Sequence, residues 1–193
     1  VEPRTNPGFL YQQNTMRDAL VAAIGLNIFN NNSRRIKMAN IAQTVNVLQA
    51  MILTKGSQMV KTPTFYVFKM YKIHQDAIQI PSEISSMNYS INEDEIPSLS
   101  VSASRDKNGV IHITVANLNP KDDLETMIDI KGLQDIKGLE GEILTAKTMN
   151  AYNDFGKAEK VKASEFKNYE IKEAAININI PSKSVVLLTL KGN

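Results

Sequence analysis

The sequence predicts an α+β chain in two unequal parts: a helix-strand-helix piece over residues 1–76 and an antiparallel β-sandwich over 77–193. Three observations predict it. Residues 15–29 and 62–74 space their apolar side chains as helices do, and residues 36–42 are almost continuously apolar, as in a strand covered on both faces. From Ser98 onward the period switches to two, in segments separated by Gly- and Pro-marked turns.

Residues 1–13 carry Pro3, Pro7 and Gly8 before Phe9, Leu10 and Tyr11, and read as an irregular loop ending in an apolar anchor. The chain opens on Val1 rather than Met and reads as a processed protein or a piece of a longer one. Thr15 with Asp18 has the spacing of a capping box, so a helix is expected from there to Phe29. Its apolar residues cover most of its circumference, which calls for neighbours on more than one side. Asn30, Asn31 and Asn32 end it.

The stretch 36–48 then reads as a buried strand carrying three amides, Asn40, Gln43 and Asn46. Lys55-Gly-Ser57 turns the chain, and Thr62-Pro63 starts a second helix with proline at its first position. Residues 77–97 read as a long polar connection. Leu99, Val101 and Ala103 alternate with serines; after the turn Asp106-Lys-Asn-Gly109, Ile111, Ile113 and Val115 alternate with His112 and Thr114. That is a β-hairpin. Further strands are expected at 125–130, 140–146, 175–180 and 184–190, with a charged, irregular long loop over 150–172 that holds one short strand or turn of helix. One buried strand cannot complete a sheet, so 1–76 looks like the closing segment of a larger α/β domain, unless its helices pack on the sandwich or on another copy.

The formal charge of +2, from 22 basic and 20 acidic residues without blocks, offers no footprint for nucleic acid or a membrane surface. There is no cysteine, hence no disulfide or thiol chemistry, and no compartment follows from the composition. No apolar run is long enough to span a bilayer. Neither histidine has a catalytic partner in the pattern: His112 falls on the polar side of its strand and is expected to face water, and His74 is expected to cap helix-end carbonyls. No metal spacing or phosphate-binding glycine loop is present, so no metal and no cofactor are expected. Candidate carboxylates such as Glu2, Asp18 and 93–95 read as loop, cap and solvated run rather than as the facing acid pair that glycoside hydrolysis needs. The amides remain. Gln43, at the C-terminal end of the buried strand, either satisfies loop backbone or serves a ligand; Asn40 and Asn46 read as structural.

The runs Met16-Arg-Asp-Ala-Leu20 and Leu26-Asn-Ile-Phe29, then Met38-Ala-Asn-Ile-Ala-Gln-Thr-Val-Asn-Val-Leu48, Thr62-Pro-Thr64, Phe68-Lys-Met-Tyr71 and His74 resemble the C-terminal part of α-L-arabinofuranosidases of glycoside hydrolase family 51. The resemblance is close over residues 1 to about 80 and covers the sandwich in outline. It implies the tail of a (β/α)₈ barrel followed by a jelly-roll-like C-terminal domain. It also implies hydrolysis, with retention, of terminal arabinofuranosyl units of oligo- or polysaccharides by two glutamates upstream of Val1. Gln43 matches a family glutamine at the end of the last barrel strand, which implies a substrate contact. The segment is then expected to be inactive alone, and a homo-oligomer is expected. The competing expectation is a non-catalytic carbohydrate-binding or oligomerisation module. Against it, the chain has no Trp, and Tyr152, Phe155, Phe166 and Tyr169 cluster in the irregular loop rather than in a row on a sheet face.

Overall fold

The structure, a computed structural model, describes residues 14–42, 44–133, 136–173 and 175–192. Among the described residues two α-helices, a 3₁₀ turn (Lys72–His74, after α2) and thirteen strands follow in the order α1 (Met16–Asn31), β1 (Ile52–Lys55), β2 (Gln58–Lys61), α2 (Pro63–Tyr71), β3 (Ile78–Ile80), β4 (Asn88–Ile91), β5 (Asp94–Pro97), β6 (Leu99–Arg105), β7 (Ile111–Asn117), β8 (Leu124–Asp129), β9 (Ile136–Thr145), β10 (Ser164–Glu165), β11 (Tyr169–Lys172), β12 (Ala175–Ile180) and β13 (Ser184–Gly192). A six-stranded sheet, ordered β10-β9-β13-β7-β6-β3, forms the middle layer. A three-stranded sheet, β11-β12-β8, covers one face, and α1 and α2 cover the other.

Strand β13 shows why the middle sheet holds both layers. Its side chains alternate, so Val185 and Leu187 join Met16, Leu20, Val67 and Met70 in the helix-side core. Val186, Leu188 and Leu190 join Ile113, Val115, Ile176 and Ile178 between the sheets. A strand wet on one side reads apolar-polar; this one is continuously apolar from Val185 to Leu188 because neither side is wet there. Gly141 on β9 allows the close approach of Phe166: a Cβ there would lie 2.6 Å from the Phe166 carbonyl oxygen, whose own N–H donates to Gly141 O.

Local signals explain the helices. Asp18 Oδ2 accepts the N–H and the hydroxyl of Thr15 at 2.7 Å each, and the first two N–H groups of α1 donate to Ala151 O and Met149 O at 2.9 Å. These bonds satisfy donors that the helix start leaves free. Pro63 opens α2 as expected. The turn between β6 and β7 is held by Asp106 Oδ1, which accepts the N–H groups of Asn108 and Val110, with Gly109 at φ +82°.

Three expectations are corrected. No strand forms over 36–42 among the described residues; the stretch is largely exposed, with Met38 75% accessible. Its apolar pattern supplies strand-like side chains, but a strand needs a neighbour's N–H and C=O groups, and no described strand lies alongside it. The connection 77–97 is not plain loop: β3 joins the edge of the large sheet, and β4 and β5 make a separate hairpin. His112 is buried, at 2% exposure, because α1 and α2 roof the face of the sheet that the period of two had assigned to water.

Candidate functional site

Gln43 lies outside the described residues. The residues that follow it in sequence are firmly tied. Asn46 sits at φ +57° and grips Thr54 twice at 2.7 Å, donating to Oγ1 and accepting from the backbone N–H. Gln49, at φ +60°, donates to Asp18 Oδ1 at 2.7 Å. Ala50 O accepts from Asn14 Nδ2 at 2.6 Å and from Thr62 Oγ1 at 2.8 Å. Two non-glycine residues in the left-handed region cost free energy, and these bonds offset it. Asn46 is thus structural, as expected, and Asn40 is exposed. Asp18, the one buried carboxylate among the described residues, spends both oxygens on Thr15 and Gln49.

The densest polar cluster lies between α1, the end of α2 and the β6–β7 hairpin. The serines of β6 face the amide-bearing end of α1 rather than water. Asn27 Oδ1 accepts from Tyr71 OH at 2.8 Å, Ser102 Oγ at 2.8 Å and Thr114 Oγ1 at 3.0 Å. Its Nδ2 donates to Ser100 Oγ at 3.1 Å, and Asn30 Nδ2 donates to Ser102 Oγ at 3.1 Å. His74 bridges two strands, with Nδ1 2.7 Å from Ser104 Oγ and Nε2 3.2 Å from Thr114 Oγ1. This corrects its expected role as a carbonyl cap. With Thr114 donating to Asn27, the neutral tautomer that carries its proton on Nε2 and accepts from Ser104 at Nδ1 satisfies both contacts of His74.

Burial holds the cluster uncharged. It lowers the pKa of His74 to about 4, with the nearby His112 adding to the effect, and it pushes the Tyr71 phenol far above its ordinary value. His112 Nε2 stands 3.5 Å from Asp106 Oδ2, and its Nδ1 3.3 Å from Thr189 Oγ1. Burial works to raise the pKa of Asp106, but the backbone N–H groups of Val110 and Asn108, together with His112, hold it below the ordinary carboxylate value. Ser104 and His74 do pair, but Ser104 is buried and the other nitrogen of His74 meets Thr114 rather than a carboxylate; no facing carboxylate pair arises here, and the network joins helices to sheet. Among the described residues no group of three or more His, Asp or Glu could hold a metal. A cleft of about 560 Å³ between the two sheets is lined mainly by aliphatic chains such as Val101, Ile113, Ile128 and Ile130, with Glu83 and Asp129 also on its wall.

Sequence reasoning missed this network. The available signals were Asn27, Asn30 and Asn31 on one helical stripe and the serine row of β6.

The comparisons agree with one another. The family model described as the α-L-arabinofuranosidase C-terminal domain matches residues 1–184. An intracellular exo-α-L-arabinofuranosidase of Bacteroides ovatus is 46% identical over 98% of this chain, which spans 37% of that relative's length. A probable α-L-arabinofuranosidase C of Aspergillus flavus is 30% identical over 75% of the chain and 29% of its own length. The crystal structure of the GH51 arabinofuranosidase from Xanthomonas axonopodis pv. citri superposes with a TM-score of 0.94 at 40% identity, covering 98% of this chain and 38% of that one.

Proposed function

The chain belongs to the family of α-L-arabinofuranosidase C-terminal domains, and from that premise we propose that it is the non-catalytic closing portion of a retaining α-L-arabinofuranosidase acting on terminal arabinofuranosyl units of oligo- or polysaccharides. In this reading residues 1–76 complete a (β/α)₈ barrel whose other strands belong to a longer polypeptide. Residues 77–193 form the sandwich that buttresses it, and copies assemble as a homo-oligomer.

The observation that carries the reading is the stretch 36–42, which has the side chains of a buried strand and lies largely exposed with no ladder. Val21 and Ile28 on α1, 60% and 52% accessible, add to the apolar surface turned away from the sandwich. A missing barrel wall would cover both. Retention needs two carboxyl groups roughly 5 to 5.5 Å apart, and in this reading the longer polypeptide supplies them.

The test is turnover of an aryl α-L-arabinofuranoside by the full-length polypeptide and by this chain alone. The full-length protein is expected to hydrolyse it and the chain to give none. Turnover by the chain at the full-length rate would place the acids here and overturn the reading; an inactive full-length protein would overturn the substrate class.

Gln43 is proposed to hydrogen-bond the furanose and hold its anomeric carbon against the nucleophile. In the full-length protein Gln43→Ala is expected to lower kcat/KM about tenfold or more, the loss of one or two hydrogen bonds to substrate. Unchanged kinetics would remove Gln43 from the site.

A further inference from the structure

We propose that the cleft walled by the loop between β9 and β10 binds a carboxylate-bearing saccharide, a uronate-substituted oligosaccharide. The cleft encloses about 600 Å³ and is lined by Lys147, Thr148, Asn150, Tyr152 and Lys160 together with two alanines. That volume holds more than one sugar ring.

The wall chemistry selects the ligand. No described carboxylate lines the cleft, and neither Lys147 nor Lys160 takes part in an ion pair among the described residues. Nearby Lys157 differs, since Asp154 holds it at 2.7 Å and neutralises it. Two lysine side chains, one of them also attracted by Asp154, therefore line one space whose wall holds no described carboxylate, which favours an anion over a neutral guest. Tyr152 offers a ring face for the C–H side of a sugar, and Asn150 and Thr148 can exchange hydrogen bonds with its hydroxyls.

Both walls are fixed before a ligand arrives. On one side, Met149 O and Ala151 O accept the first N–H groups of α1 at 2.9 Å, and Ala151 N donates to Thr148 O at 3.1 Å. On the other, the buried Asn153 donates to Lys61 O at 2.9 Å and Val161 O at 2.7 Å, and its Oδ1 accepts the N–H groups of Lys160 and Val161 at 2.9 Å each. A wall pinned in this way loses little conformational freedom on binding. The saccharide part of the proposal rests on the arabinofuranosidase reading, whereas the carboxylate part rests on the wall alone.

The test is calorimetric titration of the full-length polypeptide with a uronate-bearing oligosaccharide, its carboxyl-reduced neutral counterpart, and acetate. The acidic oligosaccharide is expected to bind at least about fivefold more tightly than the reduced one, and Lys147→Met combined with Lys160→Met to weaken it about fivefold, the worth of two exposed charges. Tyr152→Ala should weaken both saccharides, while turnover of the neutral aryl arabinofuranoside stays unchanged in all these variants. Equal affinity for the acidic and reduced forms, no binding, an unaffected double lysine variant, or acetate binding as tightly as the oligosaccharide would each overturn the proposal. A protein that hydrolyses the arabinofuranoside but fails these titrations sinks the cleft alone. One that binds the acidic saccharide but lacks hydrolysis sinks the catalytic reading alone.

Discussion

Asn27→Leu is expected to destabilise the fold by about 3 kcal/mol, lowering the thermal midpoint by about 6 to 12 °C for a chain of this size. One oxygen of Asn27 accepts three hydroxyl donors, Tyr71, Ser102 and Thr114, and the residue is 1% exposed. Leucine matches the volume but leaves those hydroxyls facing carbon. The cost is bounded because each has a poorer alternative: Tyr71 OH can reach Ala23 O at 3.3 Å, Thr114 can reach Ser102 O at 3.3 Å, and Ser102 can turn to Thr114. Tyr71→Phe removes one donor and strands no other group, so it should cost about 1 kcal/mol. Chemical denaturation of the two variants checks the ratio. Equal losses would mean that the asparagine is not the hub.

The distinction between one donor lost and three donors stranded also marks what the sequence could reveal. The elements whose cause is local were legible: the Thr15–Asp18 start of α1, proline at the head of α2, and the β6–β7 hairpin with its Asp106 and Gly109 turn. So were the alternating run of β12 and the strand β13, whose unbroken apolar run Val185–Leu188 fits a sheet covered on both faces. Illegible were the features decided by what lies opposite. A period of two separates the faces of β7 but does not say which is wet, and His112 was therefore assigned to solvent. The stretch 36–48 carries strand chemistry, and its pairing depends on backbone that local pattern does not contain. Strands β3, β4 and β5 have three or four residues each, below the length at which alternation stands out. Gln43 was singled out by its position at a strand end and by resemblance; the tight anchoring of the residues after it, through Asn46 and Gln49 at positive φ, left no trace in the pattern.

Acid should loosen the union of helices and sheet, and His74 should be the reason. Its pKa falls from 6.5 to about 4 on folding, so between these values the unfolded chain binds more protons than the folded one. Stability from this group is complete above pH 6.5 and is lost as the pH drops towards 4, by up to about 3 kcal/mol for a shift of this size. The groups around it give no relief. Ser104 from β6 and Thr114 from β7 are neutral, Tyr71 from α2 stays protonated, and the nearby His112 from β7 adds to the lowering rather than offsetting it. Asp106 is turned towards His112 and the backbone N–H groups of its own turn. Replacing His74 by glutamine keeps a side chain able to reach both hydroxyls and removes the titration. The difference in thermal midpoint between His74→Gln and the parent should therefore shrink or reverse from pH 7 to pH 4.5. If the two proteins lose stability in parallel over that range, the acid sensitivity belongs to other groups and His74 is merely a spacer between the strands.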